Sequence, residues 1–342
     1  MTAIDQHHPT PPPSALLKDL AHGYMVSKAL QAAADIGIAD LLAGSPRTAE
    51  ELARLTSTDP SALFRLLRAL ASRGIFRQNE SGRFENTPLS EYMRSDHPDS
   101  VRDYLSYTPH DANVLAWVRF ESVLRTGQPS FIAANGCDLW DYFRLHPDLG
   151  EQFNCAMTAL TKTTNPLILK EYDFSPFTKV IDIGGGQGLL ISSLLKAYPN
   201  MRGALFDLPA VVESARKYVK TQGVADRCEF VAGDAFKSIP RGFDAYVYQH
   251  ILHDWSDDKC AVLLKRCREA IPPHGKLVIL DAVMVPGNDP HPAKWFDLYM
   301  MVALGGRERT EDEFKALLKD AGFKLTLAKP LPAVGIVEAV PI

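Results

Sequence analysis

The sequence predicts an α/β fold: a doubly wound, mostly parallel sheet behind an N-terminal helical domain with a winged-helix pattern. Three observations carry this reading. From about Ser14 to Tyr104 the apolar residues recur at helical spacing, with short breaks and almost no β-branched runs. From Lys179 onward, "KVIDIGGG", "RGALFDLP", "CEFVAGDAF", "FDAYVYQHIL" and "KLVILDAVMV" read as short apolar strands, mostly separated by helical segments. Strands that are apolar throughout belong to a parallel sheet covered on both faces. The third observation is a glycine cluster between the first of these strands and its helix, where such sheets bind ligands.

Residues 1–13 are expected to be a disordered, Pro-rich leader. They lack the charged start and apolar core of a signal peptide. No apolar run is long enough to span a bilayer. Cys137, Cys155, Cys228, Cys260 and Cys267 are odd in number and contain no CxxC, which argues against a disulfide framework or zinc site and fits a reducing cytoplasm. A net charge of −4 gives no general pull toward nucleic acid or anionic membrane.

In residues 14–104, Thr48 caps one short helix and Asp59-Pro60 starts the next, which Leu63, Leu66, Leu67 and Leu70 line on one face and Gly74 closes. "GIFRQNESGRFENT" then reads as a hairpin turning near Glu80-Ser81-Gly82. Helix, turn, helix and small hairpin form a winged-helix pattern. Winged helices often bind DNA, but Glu50, Glu51, Asp59, Glu80, Glu85 and Glu91 nearly balance the segment's arginines, a poor face for phosphates. The apolar faces of residues 14–45 exceed what so small a domain buries and suit a homodimer interface. Residues 105–342 form the second domain. Its first part, 105–170, is helical and carries Trp117, Phe131, Trp140, Tyr142, Phe143, Phe153 and Met157. Its end is a helix near Thr310 to Ala321 and two strands, "FKLTLAK" and "GIVEAV".

In "VIDIGGGQG", Gly184, Gly185, Gly186 and Gly188 let backbone amides approach a ligand closely. A dinucleotide fingerprint counted from Gly184 or Gly186 would need glycine at Leu189 or Ile191, and the P-loop lysine is missing. This disfavours an NAD-dependent dehydrogenase. The loop suits a cofactor with a charged amino-acid portion and no phosphate, with Asp182 near its ammonium. Asp207, ending the next strand, is placed to hold ribose hydroxyls. In "GDAF", Asp234 and Phe236 offer an acceptor and an apolar wall for adenine. Together these point to S-adenosylmethionine.

"VIDIGGGQG", "FDLP", "GDAF", "LHDWSDDKC", "LLKRCREAIPPHGKLVILD" and "GGRERTEDEF" make the chain resemble the plant-type small-molecule O-methyltransferases, the caffeate and hydroxyindole family with its bacterial and fungal relatives. The resemblance covers nearly the whole chain. It implies an N-terminal dimerisation domain and a class I methyltransferase domain with a Rossmann-like core, using S-adenosylmethionine without a metal. Gly184, Asp207, Asp234, Phe236 and Gln249 fall at its cofactor positions and, with Asp182, Gly186, Leu208 and Ala235, make the expected cofactor site. The resemblance makes His253 the catalytic base, Glu308 the acid that orients it and Asp281 the second flanking acid. Phe153, Asn154, Met157, Asp254, Tyr299 and Met300 fall at or beside positions lining the acceptor pocket. Asp281 stands where plant members usually have glutamate, and Gln249 where they often have lysine.

The strand order also places His253. In a doubly wound sheet the ligand crevice lies where strand order reverses, here between the first and fourth strands. The first carries the glycine loop and His253 follows the fourth. The pair His250/His253 lacks a recognisable third metal ligand nearby; His250 is expected to pack or hydrogen-bond beneath the cofactor. Ser256 is expected to cap the helix begun by Asp257 and Asp258, and Trp255 and Trp295 to be core or pocket wall. The expected function is metal-independent methylation of a hydroxyl on an aromatic small molecule such as a phenol, phenazine or polyketide in secondary metabolism. N- or C-methyl acceptors stay open. A cofactor-binding regulator contacting DNA through its wing is the reading from another class, and the His253/Glu308 pair favours the enzyme.

Overall fold

The computed structural model describes residues 12–342. The expected leader lies outside them except for Pro12 and Pro13, and Pro13 already opens a helix. The chain divides into two compact units between His110 and Asp111, a little after the boundary read from the sequence.

The first unit contains helices Pro13–Ala21, Gly23–Asp35, Ile38–Leu42, Ala49–Thr56 and Pro60–Ala71, then the hairpin strands β1 (Phe76–Gln78) and β2 (Phe84–Asn86). Thr48 and Glu51 form a reciprocal capping box, and the Asp59 carboxylate accepts from the Ala62 amide, so both helix starts follow their local chemistry. Leu52, Leu63, Leu67, Leu70, Phe76 and Phe84 close the core. The Pro13–Ala21 helix buries no residue in this chain, and Leu16, Leu17, Leu20, Tyr24 and Met25 are exposed apolar side chains on it and its successor.

The second unit begins with helices and reaches its sheet through the long helix Pro147–Glu171. The sheet strands are β3 (Lys179–Ile183), β4 (Arg202–Asp207), β5 (Cys228–Ala232), β6 (Ala245–Gln249) and β7 (Lys276–Leu280), all parallel. Two further pieces, β8 (Val283–Met284) and β9 (Arg309–Thr310), form a separate parallel pair. The chain ends in β10 (Phe323–Pro330) and β11 (Gly335–Pro341). The order β10-β11-β7-β6-β3-β4-β5 confirms the reversal between β3 and β6, with β11 inserted antiparallel against β7. Ile181, Ile183, Tyr246, Tyr248, Leu277 and Ile279 pack on one face of the sheet, and Val180, Leu205, Val247 and Val278 on the other. Both faces being covered explains why the strands read as unbroken apolar runs.

Glycine is required at the turn into the helix Leu189–Ala197. Gly188 has φ +83°, and a Cβ there would lie 2.6 Å from Val219 Cγ2 and 2.9 Å from Leu205 Cδ1. Gly188→Ala is expected to lower stability by about 1–3 kcal/mol, from strain and overpacking together. Chemical denaturation measures it, and an unchanged midpoint would contradict the close packing.

Two local expectations fail. Ser256 occupies the N-cap of the helix Asp257–Ala270, but its side chain makes no capping bond. Trp295 is 74% exposed rather than core or wall. The β8–β9 pair was not anticipated, because two-residue strands have no periodicity to read.

Candidate active site

The glycine loop turns sharply after β3. Gly184 and Gly186 adopt φ +71° and +53°, and the Gly184 amide donates to Phe206 O at 2.8 Å. A Cβ on Gly184 would meet Ile251 Cδ1 at 2.5 Å, so this loop packs directly on the segment that carries His253. Asp207 braces it: Oδ2 accepts from the Gly186 amide at 2.9 Å and Oδ1 from the Leu208 amide at 2.7 Å. Each oxygen still has a second acceptor direction. Leu208 is 54% exposed beside them.

Asp182, near the end of β3, is 1% exposed beneath Gly185. Burial, then the neighbouring Asp207, pushes its carboxyl up to about 7, and its Oδ2 has no partner. Two carboxylates at this loop repel a phosphate and favour a cation with hydroxyl groups beside it. These residues therefore fit S-adenosylmethionine, with its ammonium and ribose.

After β5, where the adenine is expected, Asp234 Oδ1 accepts from the Phe236 amide at 2.9 Å, with Ala235 half-buried between them. The Phe236 ring meets Trp255 edge-on at 5.1 Å, so Trp255 extends that apolar wall. Gln249 ends β6, and its Nε2 donates to Asn165 Oδ1 at 2.9 Å. Asn165 in turn donates to Ser193 Oγ at 3.2 Å, which ties the strand to two helices.

His253 lies in a 3₁₀ turn, Leu252–Asp254, between β6 and the helix Asp257–Ala270. It is 4% exposed, and its Nδ1 is 2.8 Å from Glu308 Oε1, itself buried. Burial opposes a charge on this ring, but the Glu308 carboxylate, with Asp281 and Asp254, outweighs it and holds the imidazolium well above the ordinary histidine range. The other ring nitrogen, Nε2, faces Asp254 Oδ1 at 3.5 Å, and burial pushes the Asp254 carboxyl up to about 7. Asp281 is wholly buried and accepts from the backbone amides of Ile251 at 3.2 Å and His253 at 3.1 Å. Its carboxylate thus fixes the turn's backbone.

His250 has φ +54°, rare for a side chain, and stacks on the His253 ring at 5.4 Å. Burial pushes it down to about 4, so it is neutral, and neither ring nitrogen has a partner. His250, His253 and Asp281 bring one ligand atom each within 4.8 Å of one another, so the third donor missing from the local sequence comes from the end of β7. Asp281 and His253 Nδ1 are already engaged by hydrogen bonds.

Phe153, Asn154 and Met157 lie half-buried on the long helix. Phe153 stacks on Phe143 at 4.8 Å and meets Trp140 at 5.9 Å. Tyr299 is half-buried and stacked on Phe296, whereas Met300, 3% exposed, is packed inward and offers almost no wall. The sequence reading missed Phe296, whose ring is 5.7 Å from His253, and Asp297, which accepts from the Glu308 amide at 2.8 Å. Both are on the helix Pro292–Ala303, where their spacing matches ordinary amphipathic helix and carries no separate signal.

Residues 117–324 match the O-methyltransferase domain family, and residues 18–96 match the O-methyltransferase dimerisation domain. A phenazine O-methyltransferase of Lysobacter antibioticus is 41% identical over 332 residues, covering 97% of either chain. A crystal structure described as LaPhzM superposes with TM-score 0.93 at 41% identity, over 97% of this chain and 100% of that one. The neocarzinostatin-biosynthesis O-methyltransferase NcsB1, solved with S-adenosylmethionine and 2-hydroxy-5-methyl naphthoic acid, gives TM-score 0.80 at 31% identity, over 93% of this chain and 96% of that one. No helix among the described residues is long and apolar enough to cross a membrane. With both domain models matched across most of its length, the chain belongs to the S-adenosylmethionine-dependent O-methyltransferases, homodimeric enzymes that methylate aromatic small molecules.

Proposed function

We propose that His253 is the general base of this methyl transfer, that Glu308 orients it, and that the acceptor is a flat hydroxylated ring such as a phenol, phenazine or naphthoate. The observation that carries the reading is the buried 2.8 Å contact between His253 Nδ1 and Glu308 Oε1, which leaves Nε2 as the working nitrogen. The cofactor supplies a methyl group already activated on a positive sulfur. The protein's part is to position the hydroxyl and to take its proton. A phenol with pKa about 10 is mostly neutral at pH 7, so its oxygen needs a base as it attacks. Holding the hydroxyl in line supplies several kcal/mol more.

Gly184, Gly186, Asp207 and Leu208 are proposed to hold the amino-acid and ribose parts of the cofactor, with Asp182 acting from beneath the loop. Asp234, Ala235 and Phe236 take the adenine, and Gln249 lies at the strand end beside them. Phe153, Asn154, Met157, Asp254 and Tyr299 face the acceptor, with Met300 behind them. Asp281 acts on the base through the backbone. No metal enters the reaction, and residues 14–104 and 105–342 divide into dimerising and catalytic domains of a cytoplasmic enzyme.

The test is a panel of hydroxylated phenols, phenazines and naphthoates with methyl-labelled cofactor, run with and without EDTA. Label is expected in an aryl methyl ether, at a rate EDTA leaves unchanged. Label confined to amine or carbon positions, or turnover abolished by the chelator, would overturn the reading.

A further inference from the structure

The three-residue turn that carries His253 makes one bond of its own, from the Trp255 amide to Leu252 O at 3.2 Å, and the carbonyls of Leu252, His253 and Trp255 all take donors from elsewhere in the chain. All three receive donors from one segment, residues 307–309. Arg309 Nη1 donates to Leu252 O at 2.9 Å, Arg309 Nη2 to Trp255 O at 2.9 Å, and the Arg307 amide to His253 O at 2.9 Å. The Arg309 guanidinium is 1% exposed and is neutralised by Asp257 Oδ1, at 3.0 Å from Nε and 2.8 Å from Nη2. The approach is so close that a Cβ on Gly306 would lie 2.0 Å from His253 O.

We propose that Arg309 is a positioning residue for the methyl transfer, clamping the backbone on both sides of His253 to the same short segment, residues 307–309, from which Glu308 grips its ring. Glu308 and Arg309 are consecutive, and β9 is itself held by its pairing with β8. Ring and backbone of the base are therefore referenced to one rigid piece of chain. A displacement of the turn against β9 lengthens the His253–Glu308 contact and turns Nε2 away from its target. Misplacement on the order of 1 Å can cost about 100-fold in rate. The planar fork of arginine is what reaches two carbonyls and a carboxylate together; the single ammonium of lysine cannot.

The inference rests on His253 being the base, and the test separates the two claims. Arg309→Lys is compared with Arg227→Lys, because Arg227 likewise donates to backbone carbonyls (Leu195, Tyr198, Pro199 and Met201) but far along the chain from the base. Melting temperature, cofactor affinity, kcat and the NMR titration of the His253 ring are measured in each. The groups that set this titration are Glu308, Asp281, Asp254 and His250. Arg309→Lys is expected to lower kcat by about tenfold or more with cofactor Kd within about twofold, and to move the His253 titration down toward the ordinary histidine range as Glu308 loosens. Arg227→Lys is expected to lower the melting temperature while leaving kcat and the titration where they were. Asp257→Asn, at a side chain 57% exposed, loosens the clamp without emptying the core and moves both readouts in the same direction by less. Unchanged kcat and an unmoved titration in Arg309→Lys, or in Asp257→Asn if the first variant does not fold, overturn the proposal. The titration reads the clamp whether or not His253 is the base, a point that His253→Ala decides separately.

Discussion

His253→Ala is expected to lower kcat by about 10²–10⁴-fold, the range that positioned proton transfer contributes, while S-adenosylmethionine binds with Kd within about twofold. The separation follows from position. The glycine loop, Asp207 and Asp234 make their contacts without His253, whereas no other buried imidazole is paired with a carboxylate at this crevice among the described residues. His250 cannot substitute: burial holds it neutral against the pull of Asp281, and its ring nitrogens are enclosed with no carboxylate bonded to either. Alanine also leaves Glu308 buried without its partner, so some loss of stability accompanies the change. His253→Gln controls for this, because its amide gives Glu308 a donor and fills most of the space. Comparable loss of kcat in both variants, with calorimetric cofactor affinity retained, assigns the defect to proton transfer. Near-normal turnover in either removes His253 from the mechanism.

Much of this site was legible because its parts are local in sequence. The glycine loop announces itself by composition, and the order of strands follows from alternation of apolar runs with helices. That order alone put His253 beside the loop, an adjacency now visible as Ile251 lying where a Gly184 side chain would be. The pairing of His253 with Glu308 spans 55 residues and came from family resemblance, since no local pattern connects them. What stayed hidden depends on tertiary packing. Asp281 looked like a flanking acid, and only the fold shows its two oxygens accepting backbone amides from the His253 turn. The burial of Asp182 could not be read either, because it comes from the loop folding back over the strand end. Asp257 was read as a helix-start charge; it lies in that first turn and also neutralises a buried arginine. Arg309 is a charged residue in a sequence rich in them, and nothing before the fold marks it as one of the largest fully buried side chains.

Glu308→Gln is expected to lower the maximal rate by about 10²–10³-fold and to shift the ascending limb of kcat/KM toward lower pH. The two effects have one cause. In the free enzyme, burial resists a proton on His253, but the Glu308 carboxylate overrides burial and keeps the ring protonated above the ordinary histidine range. A base must be unprotonated to act, so kcat/KM rises as the pH climbs through that raised value, and the limb lies on the alkaline side of about 6.5. With glutamine the carboxylate's pull is gone and burial gains weight, so the ring gives up its proton at lower pH and the limb moves down. The plateau falls regardless, because the imidazolium formed on accepting the hydroxyl proton has lost its counter-charge. If the glutamine turns its NH₂ toward Nδ1, the ring is also driven into the tautomer with hydrogen on Nε2, where no lone pair remains for the acceptor. Asp281 and Asp254 remain and soften the shift without reversing its sign. A limb that stays in place or moves up, with an unchanged plateau, would show that Glu308 fills space beside His253 and does not govern its proton.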